Sequence, residues 1–157
     1  MGDHIQFVVF RLDGQRYALP LGAVERIVRA VELTPLPNAP AIVLGVINVA
    51  GRVLPLLNLR RRFGLQEREI SPADQFLIAR TPRRGVALVV DDAQEVIDYP
   101  ESAVIASGRI IPELEHIRGV VTLDDGLVLI HDLERCLSLD EERELANAMN
   151  PDTAHGS

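Results

Sequence analysis

The residues with the chemistry to act on a substrate are few and scattered. His4, His116, His131 and His155 stand far apart with no His-x-x-x-His pair, and Cys136 is the single cysteine. That set builds neither an internal disulfide nor a zinc tetrad. The chain contains no lysine, which excludes a GxxxxGK phosphate loop, and it carries neither a GxGxxG fingerprint nor a GxSxG elbow. Asp91-Asp92 and Asp124-Asp125 are paired carboxylates, but each pair falls at a turn, where acids are ordinarily solvated. His131 lies inside an apolar run and reads as a packed or edge residue. His116 sits in an irregular segment and stays undecided. No catalytic residue, metal site or cofactor site is assigned, and the chain reads as a non-enzyme.

Arginine is the remaining polar chemistry, and it is unevenly spread. Residues 1 to 62 hold eight arginines (11, 16, 26, 29, 52, 60, 61, 62) against four acids (3, 13, 25, 32), a balance of +4 that leaves −11 for the rest of a chain of net charge −7. Arg binds carboxylates through a flat fork, so the first half suits an interface for acidic partners. The Arg60 to Arg62 run is not a nucleic-acid patch. The total charge is negative and aromatic residues are 4% of the chain, which leaves no stacking platform. A solvated face or a protein interface is the reading for that run. No apolar stretch reaches the ~18 residues of a membrane span, and Met1 to Gln6 lacks the features of a secretion signal, so a cytoplasmic protein without direct membrane insertion is expected.

The elements that position these residues are mostly strands. Ile5 to Leu12 and Arg16 to Leu21 form a hairpin turned at Asp13-Gly14, and Gly45 to Leu57 forms another turned at Ala50-Gly51. Residues 22–29 suit a helical turn or a strand equally. Leu33 to Pro40 holds three prolines and is an extended connector. Asn58 caps a short helix that Gly64 ends. Gln75 to Thr81 with Gly85 to Val90 makes a further hairpin, and Asp124-Asp125-Gly126 turns the last. Ser138 with Glu141 is a capping box that opens a helix over 139–149 whose acids, Glu141, Glu142 and Glu144, read as a solvated face, and 150–157 is a disordered tail.

The hairpins repeat. An offset of 69 lays Phe7 on Phe76, Arg11 on Arg80, Ala18-Leu19 on Ala87-Leu88 and Ile27 on Val96, and an offset of 74 lays Gly45 on Gly119 and Asn58-Leu59 on Asp132-Leu133. Two similar all-β units follow. Each is near the lower size limit for a sound core, so they must pack on each other.

These residues resemble a known signature. Gly45-Val46-Ile47-Asn48, then Gly51, Pro55, Asn58-Leu59-Arg60 and Phe63, together with Tyr17, Val24, Ile27, Leu36-Pro37, Val90-Asp91 and Gly119, are similar to the CheW-like family of chemosensory adaptors from about Phe7 to Leu137. The resemblance implies an all-β fold of two intertwined five-stranded SH3-like barrels packed on each other, plus a C-terminal α-helix. The domain spans 5–138, with a first barrel over 15–65, a second over 75–138, and 5–14 in the shared core. It also implies a non-enzymatic scaffold that couples the cytoplasmic tip of a methyl-accepting chemoreceptor to the regulatory domain of a CheA-type histidine kinase at membrane-associated arrays. The alternative is a stand-alone module that binds or inhibits the kinase without receptor coupling. The contact residues expected are Val24, Arg26, Ile27, Asn48, Ala50, Arg52, Asn58 and Arg60. Three of them depart from the usual pattern, in which Arg precedes the signature glycine, an acid precedes Leu-Arg, and Glu stands near Val24; here those positions are Ala50, Asn58 and Arg26.

Overall fold

A computed structural model describes residues 3–106 and 117–150. His116, His155 and all but the first residue of the expected tail lie outside the described residues. The first hairpin is β1 (His4–Leu12) and β2 (Gln15–Pro20). Its turn residues Asp13 and Gly14 have φ of 51° and 79°, the two positive angles of a type I′ turn. The ambiguous segment resolves into a short 3-10 turn, Leu21–Ala23, followed by strand β3 (Val24–Arg29). Next come β4 (Val43–Val49), β5 (Arg52–Leu57) and a one-turn helix α1 (Leu59–Arg62), which Asn58 caps by accepting from the Arg61 N–H. The second copy runs β6 (Gln75–Arg80), β7 (Gly85–Val90), β8 (Asp92–Pro100), a two-residue β9 (Ile105–Ala106), β10 (Ile117–Leu123) and β11 (Gly126–His131). Helix α2 (Leu139–Met149) follows, opened by the expected capping box of Ser138 and Glu141.

The strands form two sheets, in the orders β8-β1-β2-β11-β10-β9 and β3-β6-β7-β5-β4. The sequence repeat is a repeat of hydrogen bonding. The offset of 69 carries the pair Phe10↔Tyr17 onto Ala79↔Val86, and the offset of 74 carries Val46↔Pro55 onto Val120↔Leu129. Each hairpin that opens a repeat nevertheless joins the sheet of the other repeat. β1 and β2 pair with β8 and β11, while β6 and β7 pair with β3 and β5.

This exchange corrects the barrel boundaries expected from sequence, 15–65 and 75–138. A central barrel takes the contiguous residues 24–90, and a terminal barrel combines 4–20 with 92–131. Period and register are readable from the repeat alone. The sheet that a hairpin joins is set by long-range pairing, which the repeat does not specify.

Both sheets close in the same way. Past β3 the chain returns so that Thr34 pairs with Val46 on the outer side of β4, and past β8 it returns so that Ile105 pairs with Val120 on the outer side of β10. Gly45 and Gly119 leave room for those returning segments. A Cβ at Gly45 would stand 2.4 Å from the Thr34 carbonyl oxygen, and one at Gly119 would stand 3.0 Å from that of Ile105.

Burial follows from the exchange. Phe7, Val9, Ala18, Val121, Val128 and Ile130 fill the terminal barrel, and Ile47, Leu54, Leu56, Phe76, Ile78 and Ala87 fill the central one. The alternate residues of the exchanged hairpins, among them Val8, Phe10, Leu12, Leu77, Ala79 and Leu88, form one core between the barrels. These strands are covered on both faces, which is why their sequences run apolar without alternation. Helix α2 is part of that core through fully buried Leu145. Of the three acids expected on a solvated face, Glu144 is exposed, but the other two are tied down: Arg62 donates to both Glu141 oxygens at 2.6 Å, and Arg84 Nε donates to Glu142.

Candidate protein-binding site

Six of the eight expected contact residues gather on one side of the central barrel. Strand β3 is the outermost strand of its sheet, with Arg26 and Ile27 exposed and Val24 half-buried against the shared core. A bulge lies between Val24 and Arg26, which pair with Ala79 and Ile78, so Glu25 has no opposite number. The β4–β5 turn holds exposed Asn48, Ala50 and Arg52. Ala50 and Gly51 adopt φ of 51° and 85°, again a type I′ turn, and the Asn48 side-chain oxygen accepts from the Gly51 N–H at 3.0 Å.

Arg52 ties this turn to β3. Its Nη1 donates to Glu25 Oε2 at 2.6 Å, and a Cβ on Gly85 would stand 2.8 Å from its Nη2, so the arginine crosses the sheet over that glycine. The Arg52 hydrogen bond holds the Glu25 carboxyl below its ordinary range. The bulged residue therefore serves as an anchor. Arg26 beside it makes no ion pair or hydrogen bond among the described residues.

Asn58 and Arg60 are not on that surface. Asn58 is 7% exposed, caps α1, and donates to Glu67 at 2.8 Å. Arg60 is 5% exposed, and its Nη2 donates to Asp13 at 2.8 Å and to Asp91 at 2.6 Å. Arg68 extends the cluster by donating two hydrogen bonds to Asp74, at 2.9 and 2.7 Å, and one to Asp91 at 2.8 Å. Burial works to raise the Asp74 carboxyl, but the Arg68 guanidinium and the Ser71 N–H together bring it below the ordinary range. The hydrogen bond from Arg68 to Asp74 in turn holds that guanidinium protonated more firmly than usual. The cluster joins the β1–β2 turn, α1, the inter-repeat link and the end of β7. It braces the fold, which removes Asn58 and Arg60 from the expected contact set.

Two residues hold the matching places in the other repeat. Val96, 52% exposed on β8, is the repeat mate of Ile27, 39% exposed on β3, and Glu95 is the exposed mate of Arg26. The offset of 69 had already paired these positions. Strand β8 is likewise outermost in its sheet, with a bulge at the matching place: Val9 pairs with Glu95 and Phe10 with Ala93.

The groups that resemble catalytic ones are buried in structure. His131 is 1% exposed and packs edge-on against Phe63 at 5.0 Å between centroids, and Phe63 stacks on Tyr17 at 4.7 Å. Desolvation pushes the Cys136 thiol up to about 12. Among the described residues no group of three or more His, Cys, Asp or Glu is placed to hold a metal ion, and no helix is long and apolar enough to cross a membrane.

Two interleaved β-barrels with bulged, partly apolar edge strands and an arginine-braced joint define an interaction scaffold. The family model for the CheW-like domain matches residues 6–141, and the chain belongs to the CheW-like family of chemotaxis adaptors. It is 28% identical over 151 residues to chemotaxis protein CheW of Treponema pallidum (strain Nichols), covering 92% of this chain and 89% of the relative. It is 29% identical over 143 residues to CheW of Rhizobium meliloti (strain 1021), covering 90% and 92%. The crystal structure of the scaffolding protein TtCheW from Thermoanaerobacter tengcongensis superimposes with a TM-score of 0.78 at 26% identity, over 90% of this chain and 91% of that one.

Proposed function

We propose that this chain is a non-enzymatic adaptor in the cytoplasm that binds the regulatory domain of a CheA-type histidine kinase and the cytoplasmic tip of a methyl-accepting chemoreceptor. Membership of the CheW-like family supports the role. One observation supports the surface: β3 and the β4–β5 turn, joined by the Arg52–Glu25 ion pair, present Arg26, Ile27, Asn48, Ala50 and Arg52 together to solvent, with Val24 beneath. The unpaired arginine suits an acidic partner surface. An apolar residue beside it supplies contact area that a charge alone lacks.

The test is calorimetric titration of the protein with the kinase regulatory domain and, separately, with a receptor-tip fragment, at two ionic strengths. Binding to both is expected, with weaker association at high salt. Binding to the kinase alone would replace this reading with that of a stand-alone kinase-binding module, and binding to neither would refute both.

A further inference from the structure

We infer that the mouth of the terminal barrel is a binding site for a zwitterionic small molecule, a free α-amino acid with an apolar side chain. The inference goes beyond the adaptor reading and does not depend on it. The repeat shows how the site arises. In the central barrel β4 carries a bulge: Val43 pairs with Leu57 and Gly45 with Leu56, so Leu44 is the extra residue, and it packs on the barrel core. The offset of 74 carries the same bulge onto β10, where Ile117 pairs with His131 and Gly119 with Ile130, and the extra residue is Arg118. A leucine therefore plugs the mouth of one barrel where an exposed arginine stands at the mouth of the other.

Beside Arg118 lies a cavity of about 420 Å³, within the range of small-ligand pockets, floored by Phe7 and Ile130 and walled by Ile5 and Val104. Phe7 and Ile130 are each 2% exposed and belong to the terminal barrel's core, so the cavity reaches that core. Glu101, on the 3-10 turn after β8, is the acid of the lining, and Arg118 is its base. Both are exposed, and neither side chain makes an ion pair or hydrogen bond among the described residues. An apolar floor under two free charges of opposite sign matches a ligand with an apolar tail and both charges at one end. A free α-amino acid has that form: its carboxylate meets the Arg118 fork, its ammonium meets Glu101, and its side chain supplies the plug that Leu44 provides in the other barrel. The matching cleft of the central barrel lacks this chemistry. Its lining holds Leu33 and Leu44 at the places of Val104 and Arg118, and its arginine, Arg68, is committed to Asp74 and Asp91.

The experiment titrates leucine into the 15N-labelled protein, beside two analogues that each lack one charge: isocaproate, without the ammonium, and isoamylamine, without the carboxylate. Leucine at millimolar concentration should move the amide signals of Ile5, Val104, Arg118 and Ile130, and the shifts should saturate. Each analogue should bind about threefold to tenfold more weakly, with the gap narrowing at high salt. Arg118→Leu should erase the advantage of leucine over the amine, and Glu101→Gln its advantage over the acid. Both substituted side chains are exposed, so unchanged thermal unfolding serves as the folding control. Analogues that bind the wild-type protein as tightly as leucine does would overturn the charge pair without recourse to any variant. An advantage that survives in the variant meant to erase it would overturn it too. Amide shifts that never saturate, or that fall outside the terminal barrel, would overturn the site.

Discussion

At the scale of single residues, charge does two different jobs in this molecule, and burial decides which. Arg26 points its charge at solvent, whereas Arg60, 5% exposed, spends it on Asp13 and Asp91. Removing Arg60 leaves two carboxylates side by side with only Arg68 to offset them. Arg60→Ala should therefore cost about 2–4 kcal/mol in urea unfolding, while Arg26→Ala, at an exposed site, should stay within about 0.5 kcal/mol. The same cluster predicts an acid response. Asp74 has a folded pKa below its unfolded one, so between the two values the unfolded chain binds more protons. Its contribution is fully present above the unfolded value and is lost as pH falls through the folded one. Urea titrations should show stability rising with pH through the acid range up to about pH 4 and then levelling, with a smaller rise in Asp74→Asn.

Among the elements, the turns and closures carry the geometry of the central barrel's exposed edge. Ala50 holds a left-handed φ of 51° at a position where glycine or asparagine is at ease. Ala50→Gly should raise stability by about 0.5–1 kcal/mol, read as a shift in the urea midpoint without a change in slope. Gly45→Ala should do the opposite, by more than about 2 kcal/mol, because its new methyl meets the Thr34 carbonyl at 2.4 Å and prises the returning segment off β4. Elements like these are legible in sequence when their signals are local: Asp13-Gly14, the Asn58 cap and the Ser138–Glu141 box all lie within a few residues. Arg60 was not legible as a buried brace. Its partners stand 47 and 31 positions away, and a triple arginine next to a turn looks the same whether it faces water or a carboxylate. The repeat pairs Val96 with Ile27, but that both stand exposed on outermost strands follows from the sheet order, which the repeat does not specify.

Across the whole molecule, the exchange of hairpins makes the two barrels a single folding unit. The central barrel is contiguous over 24–90, yet Leu77, Ala79, Val86, Leu88 and Val90 face the core it shares with β1, β2 and α2. Severed from the rest, a peptide of residues 24–90 would expose that entire face, at a cost of roughly 25 cal/mol for each Å² of apolar surface returned to water. It should not fold alone, and its amide spectrum should show the narrow dispersion of an unfolded chain. The intact protein should unfold in one transition, with circular dichroism and the fluorescence of Tyr17 and Tyr99 reporting the same midpoint, because neither barrel keeps a complete core without the other. Helix α2 belongs to the same unit. Leu145→Ala should cost about 2–5 kcal/mol and shift both signals together. Two separate midpoints, or a loss confined to the far-ultraviolet signal of the helix, would mean that α2 or one barrel stands independently and that the shared core does not couple them.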